Sequence, residues 1–131
     1  MNRKLRYRGS VLLLAIFAVA LLAAVAIGML QLNTEEIQIV RNQIGAATAL
    51  ATAEAGLNDA FSQLRNDPNW MAGFVDKAFN GGSYTVDVNN LTITSTATTA
   101  QGFVGRVEAE ITVGSTSPYV IRIDRLRINE P

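Results

Sequence analysis

The chain contains no cysteine and no histidine. The first absence excludes disulfides, and cysteine spacing therefore assigns no redox compartment. Small extracytoplasmic domains often carry disulfides; their lack counts mildly against export, or places the source of stability in helix packing and assembly. Without histidine or cysteine, Ser-His-Asp and Cys-His arrangements are excluded, and a zinc site has no support. No P-loop, GxGxxG or EF-hand loop is present, and scattered carboxylates such as Asp76 and Asp87 do not make a calcium site. Lys77 is the only lysine beyond the first nine residues, and no serine is marked as its partner. These absences predict a protein that is not an enzyme and uses no cofactor or metal.

Acidic residues are missing from the whole N-terminal quarter. Arg3, Lys4, Arg6 and Arg8 hold four of the eleven basic residues, and no acid precedes Glu35. Without residues 1–9, seven basic residues face eleven acidic ones, a net charge of −4. A mildly acidic remainder argues against a nucleic-acid partner, which requires a basic footprint. The basic block instead reads as a topology signal.

A long apolar run succeeds that block. Val11–Leu30 contains twenty residues without a charge. At about 1.5 Å per residue it extends for roughly 30 Å, the thickness of a bilayer's hydrocarbon core. The run is apolar on every side, whereas a core helix in a domain of this size is amphipathic. The basic flank before it and Glu35-Glu36 after it place the N-terminus in the cytoplasm and the rest outside. Ala24-Val25-Ala26 resembles a signal-peptidase site. The apolar run nevertheless continues past it through Leu32 and exceeds the ordinary 7–15-residue signal core. An uncleaved anchor is favoured.

Beyond the span, apolar or small residues recur at Ile37, Val40, Ile44, Ala47, Ala51, Leu57, Phe61 and Leu64, spaced as one helical stripe. The helix is expected to continue from the membrane past Asn33 and Thr34 and to stop at Pro68. Val11 to about Asp67 would be on the order of 85 Å long. Gly45, Ala46, Ala47, Ala49, Ala51, Ala53, Ala55 and Gly56 either allow close backbone approach or express helix propensity alone. Glu54 either reaches a base such as Arg106 or is solvated beside Asn58, the second reading being preferred.

Residues 69–82 read as a connection anchored by Trp70, Met71, Phe74, Val75 and Phe79, which serve as core rather than as a ligand pocket. From Ser83 the period becomes two. Strands are expected at Ser83–Val88, Leu91–Thr98, Phe103–Val113 and Tyr119–Ile128. Turns are expected at Asn89-Asn90 and Ala100-Gln101-Gly102, with a loop over Gly114–Pro118. Arg122, Asp124, Arg125 and Arg127 form a solvated strand face that also blunts an edge. The predicted fold class is α+β: a long N-terminal helix whose second half packs on a small antiparallel sheet.

Several of these features together carry a family resemblance. A short basic leader ends in Gly9, and the apolar run begins one residue later. Ala53-Glu54-Ala55-Gly56-Leu57, with Arg41-Asn42 before it and Leu64 and Trp70 after it, precedes Gly82-Ser83-Tyr84-Thr85-Val86 and Ile93-Thr94-Ser95-Thr96. In that order they resemble type IV pilin-like proteins, specifically PilX-type minor pilins, and also the related pseudopilins of type II secretion.

The resemblance implies a prepilin leader over 1–9, a transmembrane and assembly helix over 10–32, an extracytoplasmic continuation over 33–68 and a β-sheet part over 69–131. It implies cleavage by a prepilin peptidase between Gly9 and Ser10, and methylation of the Ser10 amine. Leu14 stands where most pilins carry a Glu, a departure found in some minor pilins and in the tip pseudopilin of type II secretion. The implied partners are other pilin subunits, the prepilin peptidase, an inner-membrane assembly platform and the lipid bilayer. The implied location is the bacterial inner membrane before assembly and a cell-surface or periplasmic filament afterwards. A membrane-tethered extracytoplasmic binding module with an uncleaved anchor is the rival reading.

Overall fold

The computed structural model describes residues 3–128, with side chains from residue 9 onward. It holds one helix, α1 (Arg3–Asn66), and five strands: β1 (Phe74–Phe79), β2 (Gly82–Asn89), β3 (Thr92–Thr99), β4 (Val104–Val113) and β5 (Ile121–Ile128). The chain divides into two compact units, Met1–Arg41 and Asn42–Pro131. Among the described residues the first contains helix alone. The second joins the last turns of α1 to the sheet and is an α+β unit, the fold class the sequence predicts.

The helix runs through Asn33 and Thr34 without interruption; Thr34 spends its hydroxyl on the Leu30 carbonyl, 2.9 Å away. It stops where Pro68 cannot donate a backbone hydrogen bond and disfavours helical geometry at Asp67. Asp67 closes the end: its carboxylate accepts from the Asn69 amide at 2.9 Å, and its carbonyl accepts from the Trp70 amide at 3.1 Å.

The sheet is an antiparallel meander in the order β1-β2-β3-β4-β5. Alternation decides its faces. Tyr84 and Val86 of β2, Ile93, Ser95 and Ala97 of β3, and Val107, Ala109 and Ile111 of β4 are buried on the helix side. Ser83, Thr85 and Asp87, then Thr94 and Thr96, then Arg106 and Glu108 occupy the other face, cross-paired in register. Each large aliphatic core residue (Val86, Ile93, Val107, Ile111) contributes about 1.5–3 kcal/mol on burial.

On the helix, the buried positions are Ala49, Thr52, Ala53, Gly56, Leu57, Ala60, Phe61 and Leu64. The expected stripe is therefore correct only at Leu57, Phe61 and Leu64. Ile37, Val40, Ile44, Ala47 and Ala51 are exposed. The reason is close approach. A Cβ at Gly105 of β4 would lie 2.5 Å from the Ala49 carbonyl carbon and 2.6 Å from the Leu50 nitrogen, so helix and strand backbones nearly touch there. Only the small-residue side of α1 can meet the sheet at that distance, and the bulkier apolar side turns away.

The region 69–82 is not a plain connection. It contains β1, paired antiparallel with β2. A bulge between Phe74 and Lys77, with Asp76 at φ 45°, breaks the alternation that would have marked the strand. Its hairpin was nonetheless written in the chain: Asn80 (φ 47°) and Gly81 (φ 80°) form a two-residue loop of the kind that favours Asn-Gly. The next turn sits at Asn90-Leu91, one residue later than expected, with Asn90 at φ 54°. Ala100-Gln101-Gly102 turns as predicted, Gly102 donating to the Thr99 carbonyl at 2.9 Å.

Candidate functional site

Two regions carry features that ordinary core formation does not use. The first is the N-terminal part of α1. Gly9, Ser10 and Leu14 are all helical and exposed. Every large apolar residue among positions 11–17 is exposed as well, and no residue in the most apolar stretch of the helix is buried by the chain. By length and composition this helix is able to cross a membrane. The side chains of Arg3, Lys4, Arg6 and Arg8 lie outside the described residues. Gly9 has open space where a Cβ would stand, so no steric requirement for glycine exists within the folded chain.

The second region is the fixed contact between β1 and α1. Asp59 of the helix accepts a hydrogen bond from the Tyr84 hydroxyl at 2.6 Å and forms an ion pair with Lys77. The Lys77 ammonium stands 4.5 Å above the Phe74 ring, within cation–π range. The aromatics extend the anchor: Trp70 packs on Phe74 at 5.2 Å, and Phe74 meets Tyr84 edge-on at 6.1 Å. Met71 and Val75, expected to share this role, are exposed.

The electrostatics of this contact favour its charged form. The Lys77 hydrogen bond, and after it the Tyr84 hydroxyl, hold the Asp59 carboxyl below its ordinary value of 3.8. The same hydrogen bond raises Lys77 above 10.5. Burial, then the Asp59 carboxylate, pushes the Tyr84 hydroxyl up. A lysine held protonated is a poor nucleophile, so this cluster fastens the edge strand to the helix.

On the sheet's outer face, β4 and β5 form a ladder of ion pairs. Glu108 meets Arg127 at 3.2 Å and Arg106 at 3.3 Å; Glu110 meets Arg127 at 3.4 Å and Arg125 at 3.6 Å. Arg122 pairs with Asp124 at 2.8 Å, and Asp124, also bonded by Thr112, is held below the usual carboxylate range by those hydrogen bonds. Arg125 and Arg127 therefore pair across to β4 and Arg122 pairs within β5, so these residues are more than a solvated face. Glu54 is exposed and takes part in no hydrogen bond or ion pair among the described residues, so neither Asn58 nor Arg106 is its partner.

Sequence reasoning missed the Asp59–Lys77–Tyr84 contact, because its three members lie on three different elements with no shared spacing. Compared with protein families, curated proteins and solved structures, the chain matches none.

Proposed function

We propose that the chain is a structural subunit, minor or tip-proximal, of a type IV pilus or a related filament. The observation that carries this reading is the apolar stretch of α1, none of whose residues the chain buries. Twenty uncharged residues left bare by their own chain require lipid or other protein helices around them.

The subunit inserts with its basic end in the cytoplasm. The leader is cut between Gly9 and Ser10, and the Ser10 amine is methylated. An assembly platform then moves the helix from lipid into a bundle, where helix packing replaces lipid contact. Leu14 supports the minor or tip-proximal position. Glu at that position meets the amine of an adjacent subunit in pilins, and a subunit at the tip has no neighbour above it to meet.

Mass spectrometry of the protein purified from its native membrane tests the proposal. A mature chain starting at Ser10 is the expected result. An intact Met1 marks an uncleaved anchor and a tethered module, and a start near Ile27 marks ordinary secretion; either outcome overturns the filament reading. Purified filaments made mainly of this chain would refute the minor role.

A further inference from the structure

The chain has a single Asn-Gly pair, Asn80-Gly81, and the fold sets it at the tip of the β1–β2 hairpin. Phe79 and Gly82 form the last pair of that ladder, so the Gly81 amide lies in the loop, outside both strands. Both loop residues are exposed, and no atom beyond the chain neighbours comes within 4 Å of where a Gly81 Cβ would stand. The Asn80 side-chain amide has no hydrogen-bond partner among the described residues. Nothing therefore holds it away from the Gly81 nitrogen, and glycine leaves the intervening peptide free to rotate.

The other asparagines among the described residues are held. Asn33, Asn42, Asn58 and Asn66 lie within α1, where the amide that follows each is tied into the helix; the Asp67 amide, for one, donates to the Gln63 carbonyl at 2.9 Å. Asn69 precedes Trp70, whose amide donates to the Asp67 carbonyl at 3.1 Å. Asn89 is within β2, opposite Thr92. The Asn90-Leu91 turn is the nearest counterpart, with Asn90 at φ 54° against 47° for Asn80. Leu91, however, carries a branched side chain, and its carbonyl accepts from the Ile111 amide at 2.8 Å, which anchors that turn to β4.

We propose that Asn80 is a site of spontaneous covalent modification, its side-chain amide converting through a cyclic imide to isoaspartate and aspartate, and that this conversion loosens β1. The deprotonated Gly81 nitrogen attacks Asn80 Cγ. A new N–Cγ bond closes the ring as the Cγ–Nδ2 bond breaks, and the proton lost by Gly81 leaves with the departing nitrogen as ammonia. Water then opens the ring. Attack at Cγ gives aspartate; attack at the Asn80 main-chain carbonyl carbon gives isoaspartate, with the chain now running through Cγ. Water is the only co-reactant, and nothing is oxidised or reduced. Isoaspartate adds one backbone carbon to a loop whose two residues are both left-handed, so Phe79 no longer sits opposite Gly82. Asn80 also borders the open apolar groove lined by Ile44, Ala47, Ala51 and Phe79, and either product puts a carboxylate at its rim. The inference stands apart from the filament reading.

The full-length protein in detergent is incubated in mildly alkaline buffer, which favours the deprotonated nitrogen, and is then digested with trypsin beside a fresh sample. The peptide Ala78–Arg106 holds Asn80, Asn89 and Asn90, and electron-transfer fragmentation separates isoaspartate from aspartate at each. Conversion at Asn80 at least about tenfold faster than at Asn90 is expected, rising with pH. The melting midpoint of the converted protein falls by about 4–8 °C, the size of one lost turn. Asn80→Gly accepts the left-handed backbone and has no side-chain amide; it keeps its circular dichroism, forms no new acid at position 80 and shows no fall in midpoint on the same incubation. The absence of acid at position 80 in the folded protein, equal conversion at Asn90, or conversion at Asn80 only after denaturation in urea overturns the modification site. An unchanged midpoint after full conversion overturns the loosening of β1.

Discussion

Replacing Gly105 with alanine decides whether helix and sheet truly meet backbone to backbone. In an ordinary strand, Gly→Ala stabilises by about 0.4–1 kcal/mol, because the unfolded chain loses freedom. At Gly105 the new methyl would lie 2.5 Å from the Ala49 carbonyl carbon, 2.6 Å from the Leu50 nitrogen and 2.7 Å from the Ala49 oxygen. Ordinary carbon contacts are about 3.5–4.0 Å, so α1 must withdraw by about 1 Å. No rotamer relieves the overlap, since all three atoms are backbone. Overpacking of this kind costs about 1–3 kcal/mol, and withdrawal also loosens Ala53, Leu57 and Ala60 against the strands. The two effects have opposite signs, and the steric one wins. A unit of this size is stable by only about 5–10 kcal/mol. Each kcal/mol moves its midpoint by about 4–8 °C, so the melting temperature falls by roughly 5–20 °C. The lone tryptophan, Trp70, packed on Phe74, reports the transition by fluorescence in the full-length protein in detergent. A midpoint that stays put or rises would falsify the close-packed interface.

Three further outcomes test other parts of the argument. Ser95 is fully buried beneath Gly56, and its hydroxyl has no hydrogen-bond partner among the described residues; Ser95→Ala is therefore expected to stabilise by about 1 kcal/mol in the same melting assay, and a clear loss would reveal a hidden partner. The Asp59–Lys77 contact contributes stability above the ordinary carboxylate pKa of 3.8, lost as pH falls through the still lower folded value. Lys77, raised above 10.5, contributes below that pH and loses its share as pH rises through the higher folded value. Asp59→Asn should flatten the acid-side loss; a profile identical to the parent's shows that the pair is energetically silent. Leu14→Glu should raise the apparent insertion free energy of the span in a translocon reporter assay, by less than the roughly 2.5–3.5 kcal/mol of a charge at the helix centre because residue 14 lies near the end of the run, and no change would place residue 14 outside the hydrocarbon.

The sequence by itself determined the parts whose signal is local. The uncharged run from Val11 to Leu30, the uninterrupted helix, its end at Pro68, and the alternation in β2, β3 and β4 all come from composition and period. Turns with glycine at a left-handed position, such as Gly102, were legible for the same reason. The candidate cleavage residues Gly9 and Ser10 were legible as a pattern, and their exposure on the helix neither adds to nor removes from that pattern.

Only the tertiary structure decided which side of the helix is buried. Periodicity gives weight to large apolar residues and so favoured Ile44, whereas burial chose Ala49, Ala53 and Gly56, because Gly105 allows backbones to approach where a larger residue would hold them apart. Tertiary pairing alone also revealed β1, whose bulge erased its alternation, and the contact that ties Lys77 and Tyr84 to Asp59 across three elements. The apolar row on β5 (Ile123, Leu126 and Ile128) looks like any other inward face when read along the chain. That it is left half-exposed depends on the width of five strands against one helix, which no single segment records.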